Sequence, residues 1–408
     1  MWQPPPVPKP DGQVTLRSLG MSVYLPSILF FIGDGGLIAI VALAARDLGA
    51  SPALAGFIVA LRGLGVLVFD IPAGWALTRF GERATIGAAS LTVILTLVGW
   101  TLTTSELVFA GLAFVQGCGW SAWQLARLAY VAEVVPPNLR GRAMSLLGGT
   151  NRVGMFIGPF LAAAATHFGG FDAVFVVAIV LVGAAAVVLF ATVPAGRDED
   201  RKGVVVPVAD ILREHRGVLL TAGLAATALQ GLRQSRNVLL PLWADSIGLS
   251  VQTAAVLFGV SLGIELLLVY PGGSVMDRWG RKAAAIPCLV IMSIGLAILP
   301  LTHGALTLSL VAMLLGAGNG LSSGVVMTLG ADFAPDATRV PFLGVWRVLS
   351  DIGTAGGPLA VAVATAAITL GGAAVVVGAL GLVAAAYVMR FVPETGVVAP
   401  PRTPVRPR

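Results

Sequence analysis

The sequence predicts an all-α membrane protein in which twelve transmembrane helices form two pseudo-symmetric six-helix bundles. Three observations carry this expectation. Of 408 residues, 57% are hydrophobic and only 11% are charged, whereas a soluble domain is about 25% charged. The apolar residues gather into twelve runs, and about 20 such residues span a bilayer as a helix. Motifs of the first half return in the second at one constant offset of 199 residues. The same apolar content excludes a disordered chain, and the glycines lack the strict period of a fibrous one.

In chain order the runs are Ser22–Ala45, Pro52–Leu77, Ala84–Thr104, Leu107–Val135, Ala143–His167 and Phe171–Val193, then Gly217–Ala244, Val251–Met276, Ala283–His303, Ala305–Phe333, Pro341–Leu370 and Gly372–Val392. Residues 1–21 are polar and proline-rich, without the pattern of a removable signal, so the first run is expected to serve as an uncleaved insertion signal. The bundles are expected to cover 22–193 and 217–392. Between them, 194–216 reads as a charged cytoplasmic linker with a short surface helix near Val208–Arg216. The Pro- and Arg-rich tail 393–408 reads as disordered.

Placing both termini in the cytoplasm puts nineteen of the 26 Lys and Arg on that side, Arg46 alone on the other, and six inside helices. So large a bias in short loops predicts the orientation, and with it a multi-pass protein of the cell (inner) membrane. Cys118 and Cys288 lie apart in apolar runs and read as buried small side chains rather than a disulfide or metal ligands. The formal charge of +6 forms no patch, so nucleic acid is not an expected partner.

At the offset, Gly74 pairs with Gly273, Arg79 with Arg278, Gly81 with Gly280, Pro136 with Pro335, Arg140 with Arg339, Gly154 with Gly353, and Gly158-Pro159 with Gly357-Pro358. A single shift over so much chain implies parallel repeats about an axis along the membrane normal.

A charge at the bilayer centre costs at least ~2.5–3.5 kcal/mol, so such residues are expected to face a cavity or a partner. They are Asp34 in run 1, Arg62 and Asp70 in run 2, Arg127 in run 4, Arg152 in run 5, Arg233 and Arg236 in run 7, Glu265 in run 8, and Arg347 and Asp351 in run 11. Asn151, Gln230 and Asn319 add polarity. Runs 3, 6, 9 and 12 carry no interior charge, which predicts that these four face lipid while the other eight surround a polar path.

Asp34 and Arg62 fall at nearly the same depth, so they are expected to pair, either as a permanent neutral lock or as a titrating site. The glycines of Gly33-Asp34-Gly35-Gly36 admit two readings, close helix packing or an opening for ligand. Glu265 is placed to pair with Arg233, and Arg347 with Asp351 four residues on. Arginine does not deprotonate in proteins, so a proton carrier would be a carboxylate: Asp34 first, then Glu265, then Asp351. Trp120, Trp123 and Phe30 read either as cavity contacts or as core. The buried excess of arginine either attracts an anion or is offset by Glu133 and Asp332.

The loop Gly273-Ser-Val-Met-Asp277-Arg278-Trp-Gly280-Arg281-Lys282 resembles the G-x-x-x-D-R-x-G-R-R loop of the major facilitator superfamily. Its counterpart, Gly74-Trp-Ala-Leu-Thr78-Arg79-Phe-Gly81-Glu82-Arg83, has Thr78 in place of the Asp. The segments Glu133–Arg142 and Gly154–Pro159 resemble the family's loop between helices 4 and 5 and the helix-5 G-x-x-x-G-P motif of its proton-coupled drug exporters, with Ala162-Ala163 where that motif has paired Gly. The exporters' helix-4 Arg is replaced by Ala113.

The resemblance implies the major facilitator fold. It also implies a conformational latch on the cytoplasmic side drawn from Gly74, Arg79, Gly81, Arg83, Gly273, Asp277, Arg278, Gly280, Arg281, Glu133 and Arg140, with Asp70 as the candidate to supply the charge that Thr78 lacks. The expected function is secondary transport by alternating access: proton-coupled efflux of a small amphipathic compound or drug, with carriage of an anionic metabolite by the buried arginines as the alternative. No cofactor is expected beyond the proton gradient. The partners expected are a small-molecule substrate, protons and the lipid bilayer, and the working unit expected is a monomer. No nucleophile–base set, metal cluster or P-loop stands in the sequence to suggest an enzyme or an ATP-driven pump.

Overall fold

A computed structural model describes residues 20–135, 137–192, 208–335 and 338–395. Most of the predicted terminal segments and linker therefore lie outside the described residues. Within them the chain is helical, with no strand. The twelve spanning helices are α1 (Leu25–Asp47), α2 (52–80), α3 (82–102), α4 (Glu106–Val134), α5 (137–168), α6 (171–192), α7 (Leu224–Ser246), α8 (Val251–Trp279), α9 (Lys282–Ile298), α10 (305–333), α11 (Arg339–Ala367) and α12 (Leu370–Phe391). The linker contributes a short helix, Val208–Glu214.

Among the described residues, eight continuous helices are long and apolar enough to cross a membrane. Two of these are bent at glycine and hold two spans each: α2 and α3 meet at Gly81 (φ 80°), α5 and α6 at Gly169-Gly170 (φ 64° at Gly170). The remaining two spans, α4 and α7, are too polar to qualify. Their interiors hold Gln116, Ser121, Gln124 and Arg127, and Gln230, Arg233, Gln234, Arg236 and Asn237. Polar residues on a spanning helix need protein or a cavity around them.

The repeat is structural as well as sequential. Ser51 and Ser250 both cap a helix, each oxygen accepting from an N–H three residues on (3.2 Å). Gly49 and Gly248 end α1 and α7 with φ of 101° and 77°, and Gly81 and Gly280 turn with φ of 80° and 91°. Gly154 lies against the Ile28 carbonyl, as Gly353 does against that of Thr227. Each member of these pairs is 199 residues from its counterpart. A side chain at such contacts would strike backbone, which is how small residues let spanning helices approach closely.

The glycines around Asp34 belong to this packing. A Cβ on Gly35 would lie 2.8 Å from the Met155 backbone, and one on Gly36 3.2 Å from the Gly158 carbonyl. They seat α1 on α5 rather than open it to ligand.

The halves meet along two seams. Helix α2 follows α11, with Gly56 against Ala362 and Gly63 against Ala355. Helix α5 meets α8 where the Phe160 and Phe156 rings cover Gly259 and Gly263. Beyond that second contact, toward the end holding the basic turns at Gly81 and Gly280, α5 and α8 are separated by a cavity.

The apolar outer surface departs from the every-third-helix expectation. Helices α3, α6 and α12 do present leucine and valine outward, but so do α2 (Ile71), α4 (Leu107), α8 (Leu267) and α10 (Leu306), while α9 is mostly covered. Each helix rotates an apolar stripe to the outside while its polar residues face inward, so interior charge does not exclude contact with lipid.

Candidate functional site

The cavity holds about 220 Å³ and is lined by Asn151 and Arg152 of α5, Arg233, Arg236 and Asn237 of α7, Glu265 of α8, and Asn319 and Ser323 of α10, with Met155, Phe258 and Leu262 as apolar wall. It lies on the seam, so both halves contribute. Three arginines and one glutamate give it a net positive charge.

Glu265 pairs with Arg236 (3.1 Å), not with Arg233 as the sequence suggested. Arg236 also rests on the Phe258 ring (5.7 Å). Arg233 instead donates to the Gln230 side chain (2.8 Å) and to the carbonyl and hydroxyl of Ser322 (2.9 and 2.7 Å). Arg152 donates across the seam to the Ser323 hydroxyl. Neither Arg152 nor Arg233 is within ion-pair distance of a carboxylate among the described residues, although the Glu265 charge acts on Arg152 across the cavity. Arg233 Nε and Asn319 Oδ1 are buried without any hydrogen-bond partner, an arrangement that folded proteins otherwise avoid.

Ser322 and Ser323 occupy a break in α10, which stops at Leu321 and resumes at Val325 through Gly324 (φ 94°). From the sequence, 305–333 reads as one continuous apolar run. Irregular backbone at membrane depth survives where it is enclosed by protein or lines a cavity, and here the Ser322 carbonyl receives Arg233 while the Ser323 hydroxyl receives Arg152.

Asp34 and Arg62 are directly paired, and Arg62 Nε also donates to Gln116 (2.5 Å). The Trp120 indole donates to the other Asp34 oxygen (3.0 Å). This cluster of α1, α2 and α4 sits within the first half, and Asp34 is only 4% exposed. It is not part of the cavity wall.

Two aromatic candidates are core. Phe30 and Trp123 are fully buried and stacked at 3.7 Å. Arg127 lies over the Phe31 and Trp123 rings (5.0 Å each) and donates to Asn151 (2.7 Å) and Gln124 (2.5 Å), a short step behind the cavity.

The second cluster bridges the halves on the α2–α11 seam. Arg347 grips both oxygens of Asp70 (3.0 and 3.1 Å). It lies 3.5 Å from Asp351, and Ser121 of α4 also donates to Asp70. Arg347 and Asp351 thus do not simply neutralise each other.

The family-type turns bond inside their own halves. Arg281 holds Asp332 (2.9 Å) and Asp277 (3.5 Å), and Glu394 accepts from the Lys282 N–H (3.2 Å). Arg83 donates to the Phe190 carbonyl (3.0 Å), Arg79 lies over Trp75 and Phe80, and Arg278 over Trp279. The space beside Gly273 is open, and a Cβ on Gly74 would meet only Leu125, at 3.9 Å. Near these turns Asp70 and Arg347 form an ion pair that crosses between the halves. The Arg140 side chain lies outside the described residues, and Glu133 has a partner of its own.

Two helical bundles related by an internal repeat, with a polar cavity on their seam, define a membrane transporter of the two-bundle class. The chain belongs to the Major Facilitator Superfamily, whose model matches residues 23–261 and 222–407. It is 29% identical over 161 residues to a chloramphenicol resistance protein of Pseudomonas aeruginosa, covering 39% of this chain and 35% of that one. It is 24% identical over 307 residues to a glucose facilitated diffusion protein of Zymomonas mobilis, covering 62% and 64%. The chain thus spans from about a third to just under two thirds of these relatives' lengths.

Among solved structures, a D-xylose–proton symporter superposes with a TM-score of 0.75 at 18% identity, covering 93% of this chain and 99% of that one. A nucleoside transporter does so at 0.73 and 13%, again covering 93% and 99%. Such likeness establishes the fold.

Proposed function

We propose that this transporter carries a small anionic compound by alternating access, binding it between Arg152 and Arg233. The observation that supports this reading is the convergence of two arginines, one from each half, on one cavity where, among the described residues, neither forms an ion pair and the one lining carboxylate, Glu265, is held by Arg236. An anion would supply that partner and would link the halves while bound. A hydrogen bond to a charged group is worth ~1.5–3 kcal/mol, so loss of one arginine should weaken binding ~10–100-fold.

The test is equilibrium binding to purified protein of a carboxylate and phosphate panel, against neutral and cationic amphipaths. Arg233→Gln and Arg152→Gln should each weaken the best anion at least tenfold. Unchanged anion affinity in both variants, or binding of amphipaths alone, overturns the reading.

A second reading is proton-coupled efflux of a small amphipathic compound with Asp34 as coupling carboxylate. The likeness to a chloramphenicol resistance protein favours it. Its test is flux in proteoliposomes under an imposed pH gradient. Asp34→Asn should abolish gradient-driven movement, and a wild-type rate in that variant sinks it. In both readings the chain works as a monomer in the cell membrane, with the basic turns and both termini cytoplasmic and the proton gradient as driving force.

A further inference from the structure

Two carboxylates and one guanidinium meet on the α2–α11 seam. Asp70 comes from the first half, Arg347 and Asp351 from the second. The carboxylates are little exposed, 10% for the Asp70 side chain and 15% for Asp351. Arg347 gives its two-point grip to Asp70, whose oxygens also receive Ser121. Asp351 is left with a longer approach of 3.5 Å to Arg347 Nε, too poor for a hydrogen bond, and its Oδ2 is buried with no hydrogen-bond partner. The charged side chains acting on Asp351 are Asp70, from α2, and Arg347, on its own helix. Ser121 comes from α4, and on the α7 side Thr227 donates to the Leu349 carbonyl (2.8 Å) while Thr227 and Gln230 pack against Gly353; none of these is charged.

Both carboxylates ionised would leave an uncompensated buried negative charge. Like carboxylates in one buried site resolve this by retaining a proton. Two carboxyl groups can share a hydrogen bond only when one of them carries a proton.

We propose that Asp351 is a proton-binding site whose occupancy is tied to closure of the α2–α11 seam. With the seam closed, Asp70 takes Arg347 and Asp351 holds a proton. When the halves part there, Asp70 withdraws with α2, Arg347 turns wholly to Asp351, and the proton leaves. By linkage, the proton in turn favours the closed seam. The substrate arginines lie elsewhere, so this site stands whether the cargo is anionic or amphipathic.

The experiment is infrared difference spectroscopy of the full chain in liposomes across a pH series, following the protonated-carboxyl band. Wild type should show a titrating band that Asp351→Asn loses and Asp34→Asn and Glu265→Gln keep. In Asp70→Asn the lone Asp351 faces Arg347 without a rival, so the band's midpoint should fall by at least one pH unit. That variant also keeps the proposal testable should Asp351→Asn fail to fold. An undiminished band in Asp351→Asn, or an unmoved midpoint in Asp70→Asn, overturns it. Failure of anion binding in Arg233→Gln bears only on the cargo.

Discussion

At the scale of single residues, the buried ions divide into those whose partners are complete and those left open. Asp34 is complete: Arg62 and Trp120 satisfy it inside the first half. Removing one member of a buried pair strands the other and costs ~3–5 kcal/mol. Arg62→Met should therefore lower stability by about that much in denaturation of the detergent-solubilised protein, and Asp34→Asn added to it should recover most of the loss. If the double variant is no more stable than the single, the pair is not the lock that its geometry describes. Trp123 invites a parallel test. Its ring stacks on Phe30 with no exposure, so Trp123→Ala should cost ~3–5 kcal/mol as a core truncation and leave substrate affinity in the surviving fraction unchanged. A selective loss of affinity at wild-type stability would return Trp123 to the cavity wall.

At the scale of helices, glycine decides which faces touch. A Cβ on Gly158 would strike the backbone of α1 at Ile32 and Gly36, whereas Gly183 of α6 has open space around it. Gly158→Ala should cost ~1–3 kcal/mol through overpacking. Gly183→Ala should be neutral or gain up to ~1 kcal/mol from helix propensity. Equal effects at the two sites, by thermal denaturation in one detergent, would contradict the packing. This scale also marks how far the sequence could be read. The helices and their repeat were legible because span length and a constant offset are properties of order along the chain. Partner choice was not, because it turns on helix rotation: Arg233 and Arg236 stand about 60° apart around α7, enough to send Glu265 to the second rather than the first. The break in α10 was hidden by the apolarity of its flanks, though Gly318-Asn319-Gly320 and Ser322-Ser323-Gly324 crowd six polar or helix-weakening residues into seven positions. Along the chain Arg347 points to Asp351, because four residues is a facing helical spacing. Its stronger partner, Asp70, is 277 positions away, a separation that no local rule reaches.

At the scale of the whole molecule, the end opposite the basic turns is closed by contacts that the repeat itself supplies. Arg46 and Asp245 are equivalent positions of the two halves, yet they carry opposite charges and meet at 3.3 Å, with Arg46 also donating to the Ala50 carbonyl (2.6 Å). Beneath them Phe160 and Phe156 fill the glycine notches of α8. The ion pair is a third or more exposed on each side, which limits its worth to ~0.2–1 kcal/mol. That is too little to hold a fold together but enough to bias two conformations of nearly equal energy. Asp245→Arg replaces attraction with repulsion and should move the population toward the form open at this end by roughly 5–10-fold, a shift of about 1–1.4 kcal/mol. Spin labels at the exposed positions Phe168 and Leu301, one on each half at this end, in a chain with Cys118 and Cys288 replaced by serine and alanine, would report the change as a longer distance distribution. Arg46→Asp combined with Asp245→Arg rebuilds the pair with its signs exchanged and should restore the short distance, while high salt should lengthen the wild-type distribution toward that of the single variant. If the reversed pair stays as open as the single variant, closure at this end rests on the phenylalanine–glycine packing alone.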